Sequence, residues 1–272
     1  MSEQIARGAV RTTRSDVLLA SVGERGVLCG IYDEDAADTY HDLMQDADGT
    51  SEAREFANRV GPDSGPVLEL AAGTGRVTFP LLALGFDVAA LELSTAMIAT
   101  LRKRLEDLPS EVRDRCTVVH GDMTAFELHE RFGTVIVSSG SINVLDDADR
   151  PGLYASVREH LAPGGRFLLA VAVAEAVKPD SPERQQELSG LSGRRYVLHA
   201  KMSAGKEIHE ITICPADEAA DPFVVCTNRI RLLKADQIVR ELEQAEFEVV
   251  ARTPFASAGQ GSEDVLLLEA SL

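Results

Sequence analysis

The stretch Val67-Leu68-Glu69-Leu70-Ala71-Ala72-Gly73-Thr74-Gly75-Arg76 runs from an apolar segment into a glycine turn. Val67 to Leu70 predicts a short buried strand, and the pattern after the turn predicts a helix through Leu84. Glycines between a strand and a helix lie at the carboxyl edge of a sheet, where the bare backbone can approach a ligand closely. The neighbouring residues exclude two phosphate readings. No Lys-Ser or Lys-Thr follows, as a phosphate-cradling loop requires. A dinucleotide turn wants a third Gly or Ala for close helix packing, and here that position is the β-branched Thr78. Glu69 would repel a pyrophosphate and suits a cationic ligand. Glu92 ends the next strand about 20 residues on, the spacing of an acid that accepts from a ribose diol.

Strand and helix alternate onward from that turn. Phe86 to Leu91 reads as a second strand, and Ser94 to Leu105 as a helix with Met97, Ile98, Leu101 and Leu105 on one face. Cys116 to Val119 and Thr134 to Val137 read as a third and a fourth strand. Asp149 caps another helix, with Pro151 early in it and Leu153, Val157 and Leu161 inward, and Pro163-Gly164-Gly165 stops it. Arg166 to Val173 is the fifth strand. Strands apolar on both faces and separated by helices predict an α/β parallel sheet covered on each side, doubly wound because crossovers are right-handed.

The rhythm changes on either side of this block. Residues 1 to about 25 have no sustained period and read as a leader or strap, and Tyr32 to Val60 carries helical spacing at Tyr32, Ala36, Tyr40, Leu43 and Met44. Residues 175–195 are polar and rich in Pro, Ser and Gly. The runs Tyr196 to Met202, Glu207 to Ile213 and Phe223 to Leu233 then read as strands, with Gly205 between the first two. A helix with Ile238, Val239, Leu242 and Ala245 follows, then strands at Phe247 to Ala251 and Val265 to Leu268. The expected division is a helical strap over residues 1–60, a core of residues 61–174 and 234–272, and a small antiparallel β insertion over residues 175–233.

With 27 basic and 44 acidic residues among 272, the chain carries a net charge of −17. Nucleic acid and anionic membranes need clustered cations, so neither is an expected partner. No apolar run approaches the roughly 20 residues of a membrane span, and no secretory signal opens the chain. Cys29, Cys116, Cys214 and Cys226 are scattered, without a CxxC pair, and read as reduced thiols of a cytoplasmic protein. His120 and Asp122 lack a third ligand at suitable spacing, so no metal is expected.

Four strings now occur in order: Val67 to Arg76, Ala90-Leu91-Glu92-Leu93-Ser94, Gly121-Asp122-Met123, and Leu161-Ala162-Pro163-Gly164-Gly165. Together they resemble the motifs of the class I S-adenosylmethionine-dependent methyltransferases. The resemblance implies a seven-stranded Rossmann-like sheet of order 3-2-1-4-5-7-6 with the seventh strand antiparallel. It also implies S-adenosylmethionine as the methyl donor. By the same resemblance, Glu69 lies near the methionine ammonium, and Ala71, Gly73, Gly75 and Arg76 lie along the methionine portion. Glu92 takes the ribose hydroxyls. Gly121, Asp122 and Met123 frame the adenine, with Leu93 and Met97 on its other face and Ser138 at the end of the fourth strand.

The loop Ser138-Ser139-Gly140-Ser141-Ile142-Asn143 lacks the Asn-Pro-Pro-Tyr type of sequence. It is more similar to the Ser-Leu-Asn loop of small-molecule N-methyltransferases, and the β insertion resembles their substrate lid. Tyr32-Asp33 and Tyr40-His41-Asp42-Leu43 resemble the segment that closes over the cofactor there, which brings Tyr32 or Tyr40 to the methionine carboxylate or the acceptor. More narrowly, the chain resembles the daptide type of methyltransferase, which dimethylates an amine on a ribosomal peptide. The expected acceptor is therefore an amine on a peptide or small molecule. An O-methyltransferase and a non-catalytic binding protein stay open, as does the oligomeric state. Methyl transfer is a direct displacement, and orientation alone can supply roughly 7–11 kcal/mol. An alkyl amine, with a pKa of about 10, must arrive neutral, so a base is optional. Candidates are Tyr40, His41, His199 and His209. As strand residues, Tyr196 shares a face with Leu198 and Met202, and His209 shares one with Ile211 and Ile213, which directs both inward as substrate-side candidates alongside Tyr40 and His199. Asn143 is positioned to orient the acceptor.

Overall fold

The computed structural model describes residues 13–33, 36–44, 49–60, 65–138, 140–173, 183–202, 208–256 and 264–272. The chain begins with helix α1 (Arg14–Val22), strand β1 (Gly26–Gly30), and helices α2 (Ala37–Met44) and α3 (Gly49–Ala57). The central alternation follows as β2 (Val67–Leu70), α4 (Thr78–Ala83), β3 (Val88–Glu92), α5 (Thr95–Glu106), α6 (Ser110–Arg113), β4 (Cys116–His120), β5 (Phe132–Val137), α7 (Arg150–His160) and β6 (Leu161–Ala172). Then come β7 (Arg184–Ser189), β8 (Arg195–Met202), β9 (Ile208–Pro215), β10 (Phe223–Arg231), α8 (Ala235–Gln244), β11 (Glu248–Ala256) and β12 (Asp264–Ser271).

Seven strands form the main sheet in the order β11-β12-β6-β5-β2-β3-β4. Neighbours from β6 to β4 run parallel, and β12 is antiparallel to both β6 and β11. Counted within the sheet, this is the expected order 3-2-1-4-5-7-6. Every residue of β2, β3 and β5 is buried, because helices cover both faces. One face packs Leu68, Val135 and Phe167 against Leu153 of α7 and Ile238 of α8. The other packs Val67, Ile136 and Leu168 against Phe56 of α3, Leu81 of α4 and Leu101 of α5.

The second sheet has five strands in the order β1-β10-β9-β8-β7, one more at each edge than the three expected. β1 joins it from the N-terminal region, pairing parallel with β10 so that Gly26 faces Phe223 and Gly30 faces Thr227. The region read as a strap therefore contributes a helix and a strand, and the stretch read as one helix from Tyr32 is two, α2 and α3. β7 was hidden because five of its six residues are polar and the strand is mostly exposed, as an edge strand allows. The hairpin glycine Gly205, loop residues Gly61–Ser64, and Ser139 lie outside the described residues.

Alternation gives this sheet two distinct faces. Tyr196, Leu198, Ala200, Ile211 and Ile213 pack with Cys29, Cys226, Leu43 and Tyr40 on the face toward α2. Cys214, Val225 and Val197 pack on the opposite face under Leu18, Leu19 and Val22 of α1.

Candidate active site

A cavity of about 670 Å³ opens at the carboxyl ends of β2, β3 and β5, the ligand edge of an open parallel sheet. Its floor is Glu69, Ala71, Ala72 and Gly73; one wall is Glu92 to Met97; the rest is Met123, Ser138, Ser141 and Val144. Tyr32, Asp33 and Tyr40 close it from the N-terminal region, and Arg76 enters from the turn after β2.

The turn at the end of β2 is built from left-handed residues: Ala71 has φ 56°, Gly73 φ 59° and Gly75 φ 92°. Only one of the two glycines faces the cavity. A Cβ on Gly73 would meet nothing nearer than Tyr40 at 3.9 Å. A Cβ on Gly75 would drive into Phe79 and Leu101 at 2.5 and 2.6 Å, so Gly75 lets α4 and α5 close over the turn and does not line the ligand space.

Glu92 locks that turn. Its Oε2 accepts from the Gly73 N–H and its Oε1 from the Ser94 N–H, both at 2.8 Å. Ser94 caps α5, its Oγ accepting from the Met97 N–H, and it also donates to the Tyr32 carbonyl at 3.2 Å. Glu69 is 1% exposed and accepts from the Thr78 hydroxyl at 2.5 Å. Burial pushes its carboxyl up to about 8, with Thr78 and Arg76 pulling the other way. Arg76 forms an ion pair with buried Glu52 of α3 at 2.6 Å. Burial works against that guanidinium, but Glu52 and Tyr40 outweigh it and hold it cationic. The Tyr32 and Tyr40 rings sit 5.8 Å apart at 57°. Burial raises the Tyr40 phenol, and the Tyr32 phenol, on a residue 43% exposed overall, is raised by desolvation and by Tyr40 beside it, so each is a protonated hydrogen-bonding group and neither is a base at neutral pH.

Ten of the thirteen expected cofactor residues line this one cavity: Tyr32, Glu69, Ala71, Gly73, Arg76, Glu92, Leu93, Met97, Met123 and Ser138. Gly75, Gly121 and Asp122 do not. Gly121 is close-packed on Leu91, where a Cβ would come within 3.2 Å. Asp122 is exposed beside Met123, its Oδ1 accepting from the Thr124 N–H and hydroxyl at 2.8 and 2.7 Å.

The acceptor-side expectations fare differently. Asn143 is 1% exposed, and its amide is spent on backbone: Nδ2 donates to the Ala172 and Arg231 carbonyls and Oδ1 accepts from the Ala172 N–H. It staples the two sheets, with its amide engaged by backbone rather than turned to the cavity. His199 lies on the α1 face of the second sheet, next to Arg14 and 4.0 Å from Glu183, away from Tyr40. Tyr196 and His209 do share the inner face, but Tyr196 donates to Asp42 and His209 lies opposite Met202 and Ile230; neither lines the cavity. His41 also stands outside it, half-buried on α2, and burial and Arg104 lower its imidazole. Among the described residues, no histidine lines the cavity.

Sequence reasoning missed Glu52, the partner of Arg76, and undervalued Thr78, noted only as a departure from a dinucleotide turn. Neither has a local signal, because each meets its partner only in the fold. Ser94 was findable, since a serine opening a helix is an ordinary N-cap.

A glycine turn above two strand-end acids, on a seven-stranded sheet whose last strand is reversed, is the architecture of a class I methyltransferase. Residues 67–165 match the family model described as a methyltransferase domain. The chain is 59% identical to the glycopeptide N-methyltransferase MtfA complexed with S-adenosyl-L-methionine, over 97% of this chain and 99% of that one, with a TM-score of 0.69. The sinefungin complex of the same enzyme aligns at 60% identity over the same shares with a TM-score of 0.70. Among curated proteins, the dTDP-3-amino-3,4,6-trideoxy-alpha-D-glucopyranose N,N-dimethyltransferase of Streptomyces venezuelae is 34% identical over 142 residues, 50% of this chain and 56% of that protein. The dTDP-4-amino-2,3,4,6-tetradeoxy-D-glucose N,N-dimethyltransferase of Saccharopolyspora spinosa is 31% identical over 144 residues, 50% of this chain and 53% of that protein. The chain thus spans about half the length of these curated relatives. It belongs to the class I S-adenosylmethionine-dependent methyltransferases.

Proposed function

We propose that this chain transfers methyl groups from S-adenosylmethionine to an amine of a glycopeptide or amino-sugar natural product. The observation that carries the reading is the polar pattern of one cavity: two carboxyl groups at strand ends, an arginine held cationic, two protonated tyrosines, and no phosphate cradle. That set fits a ligand with an ammonium, a carboxylate and a ribose. Glu69 faces the ammonium and Glu92 takes the ribose hydroxyls. Arg76, with Tyr40 and Tyr32, answers the carboxylate. Leu93, Met97 and Met123 enclose the base, and Asp122 at the rim offers its second carboxylate oxygen to the exocyclic amine.

The bound donor supplies a methyl group on a sulfonium, already set against a good leaving group. The chain's own contribution is alignment. With no histidine on the cavity wall and both phenols protonated, the wall offers no imidazole or phenolate base; the acceptor attacks as the neutral amine, the thioether leaves, and the methylated ammonium then gives up its proton to water. Beyond Ser138, the residues Ser141 and Val144 form the wall left for the acceptor. Names of the relatives favour a glycopeptide or sugar amine over a ribosomal peptide, and two of them name N,N-dimethylation.

Calorimetry with S-adenosylhomocysteine tests the donor site, and mass spectrometry of glycopeptide aglycones and amino sugars incubated with donor tests the acceptor. Gain of one or two methyl masses on an amine is the expected result. Transfer to a hydroxyl, or binding without turnover on any amine, would overturn the acceptor assignment.

A further inference from the structure

Tyr40 closes the cavity, yet the helix that carries it is tied to the second sheet as well as to the core. α2 touches α5 on one side. On the other, Asp42 reaches the tip of the β7–β8 hairpin. One carboxylate oxygen accepts from the Ser192 N–H at 2.7 Å; the other accepts from the Ser192 hydroxyl at 2.7 Å and the Tyr196 hydroxyl at 2.8 Å. The Asp42 carbonyl accepts from the Leu191 N–H at 3.1 Å. The turn is shaped for this contact. Gly190 and Gly193 fold it through the bonds Gly190 N–H to Arg194 O at 2.8 Å and Gly193 N–H to Gly190 O at 3.0 Å. Any Cβ on Gly190 would collide with the Asp42 carboxylate.

All of these contacts to the hairpin are made by Asp42, two residues after Tyr40, which leaves the two functions on separate side chains. Tyr40 packs with the inner face of the second sheet and lines the cavity, while Asp42 does not line it. Hydrogen bonds to a carboxylate are about twice as strong as neutral ones, and Asp42 receives three from side chain and backbone of one hairpin. Burial opposes its charge, but those donors outweigh it and keep the carboxyl below its ordinary value, so the latch is ionised at neutral pH.

We infer that Asp42 is a positioning residue: by fastening α2 to the β7–β8 hairpin it holds Tyr40 against the donor cavity, and so makes donor retention depend on the acceptor-side sheet. The inference rests on the donor assignment proposed above. It predicts an effect on S-adenosylhomocysteine binding from residues that do not touch it.

The test is the affinity of the full chain for S-adenosylhomocysteine. Asp42→Ala should weaken it at least tenfold. Tyr196→Phe, which deletes one donor, should weaken it several-fold, and Asp42→Asn should recover part of the loss because its amide oxygen still accepts from Ser192. The loss caused by Asp42→Ala should vanish in a Tyr40→Ala background, since Asp42 acts through that ring. A merely structural Asp42 would lower the melting temperature equally in both backgrounds and leave the affinity unchanged; that result overturns the latch. If Asp42→Ala does not fold, Tyr196→Phe and Ser192→Ala carry the same test, and wild-type affinity from both would also overturn it. Failure of the unaltered chain to bind S-adenosylhomocysteine would instead remove the donor assignment itself.

Discussion

The Thr78 hydroxyl donates to Glu69 Oε2 at 2.5 Å, from the first residue of α4 to the third residue of β2. Both side chains are buried, at 0% and 1% exposure, so the carboxyl has exchanged water for one hydroxyl. Its folded value, about 8, stands above the ordinary 4.5. Between those values the folded chain holds a proton that the unfolded chain has released. Stability from this group is therefore fully present below the ordinary value and is lost as pH rises through about 8. A cationic donor molecule reverses the preference, because it favours the ionised carboxylate. Affinity for S-adenosylmethionine should rise between about pH 6 and 8, with a proton released on binding. Calorimetry in buffers of different ionisation enthalpy measures that proton. Glu69→Gln should abolish both the release and the pH dependence; a flat wild-type profile would remove Glu69 from the ammonium site.

The two glycines of the turn should fail in different ways. Gly73 and Gly75 both have positive φ, so alanine strains either one. At Gly73 the new methyl enters the cavity, with Tyr40 at 3.9 Å. Gly73→Ala should therefore lose ligand affinity by tenfold or more with a modest loss of stability. At Gly75 the methyl meets Phe79 and Leu101, and overpacking of that kind costs about 1–3 kcal/mol. Gly75→Ala should lower the melting temperature more than Gly73→Ala does. Comparing thermal melts with binding isotherms for the pair checks this. Equal loss of affinity at equal stability would return Gly75 to the ligand wall.

Much of this is legible in the sequence, for a physical reason. A parallel sheet covered on both faces needs continuous apolar strands, and those runs, with the turn residues between them, fix the order of elements along residues 67–173. The two acids of the cavity are legible because strand ends and a glycine turn place Glu69 and Glu92 there without help from distant chain. The failures share the opposite character. β1 pairs with β10 almost 200 residues away (Cys29 and Cys226 are 197 apart), and nothing local announces such a partner. Asn143 has the amide of a ligand-orienting residue, but its three bonds go to backbone on β6 and β10. His199 and His209 differ by an even number of residues yet face opposite sides, because the hairpin between them sets the register through pairs such as Met202 with His209. Period-two reasoning holds within a strand and is lost across a turn of unknown length.

A buried arginine on α7 offers a stability test outside the cavity. Arg150 is 0% exposed and grips Glu241 of α8 with two bonds of 2.8 Å, while also donating to Asp147 at 2.8 Å and to the Leu145 carbonyl at 3.2 Å. Tyr154 donates to the same Glu241 at 3.0 Å. Removing one partner of such a pair strands the other, at a cost of about 3 kcal/mol or more. Arg150→Ala should lower the melting temperature by roughly 6–12 °C. Arg150→Met combined with Glu241→Leu should cost less than the single alanine, since no charge is left behind. A double variant as unstable as Arg150→Ala would show that the network does more than satisfy its own charges.

Glu92 is the residue on which the proposed donor site turns. Its two oxygens hold the N–H groups of Gly73 and Ser94, so it both shapes the glycine turn and presents the acid expected to take a ribose diol. Hydrogen bonds to a charged group contribute about 1.5–3 kcal/mol each, and about 1.4 kcal/mol is tenfold in affinity. Glu92→Ala should therefore weaken S-adenosylhomocysteine binding by roughly 10- to 100-fold. Glu92→Gln should fall between it and the wild type, because the amide keeps one acceptor and sets its NH2 against the other backbone N–H. An adenine-only ligand should lose little in either variant, since it lacks the diol. Titration of each variant with both ligands separates the two effects. If Glu92→Ala binds S-adenosylhomocysteine as tightly as the unaltered chain, the ribose lies elsewhere and the orientation of the donor in this cavity must be reversed.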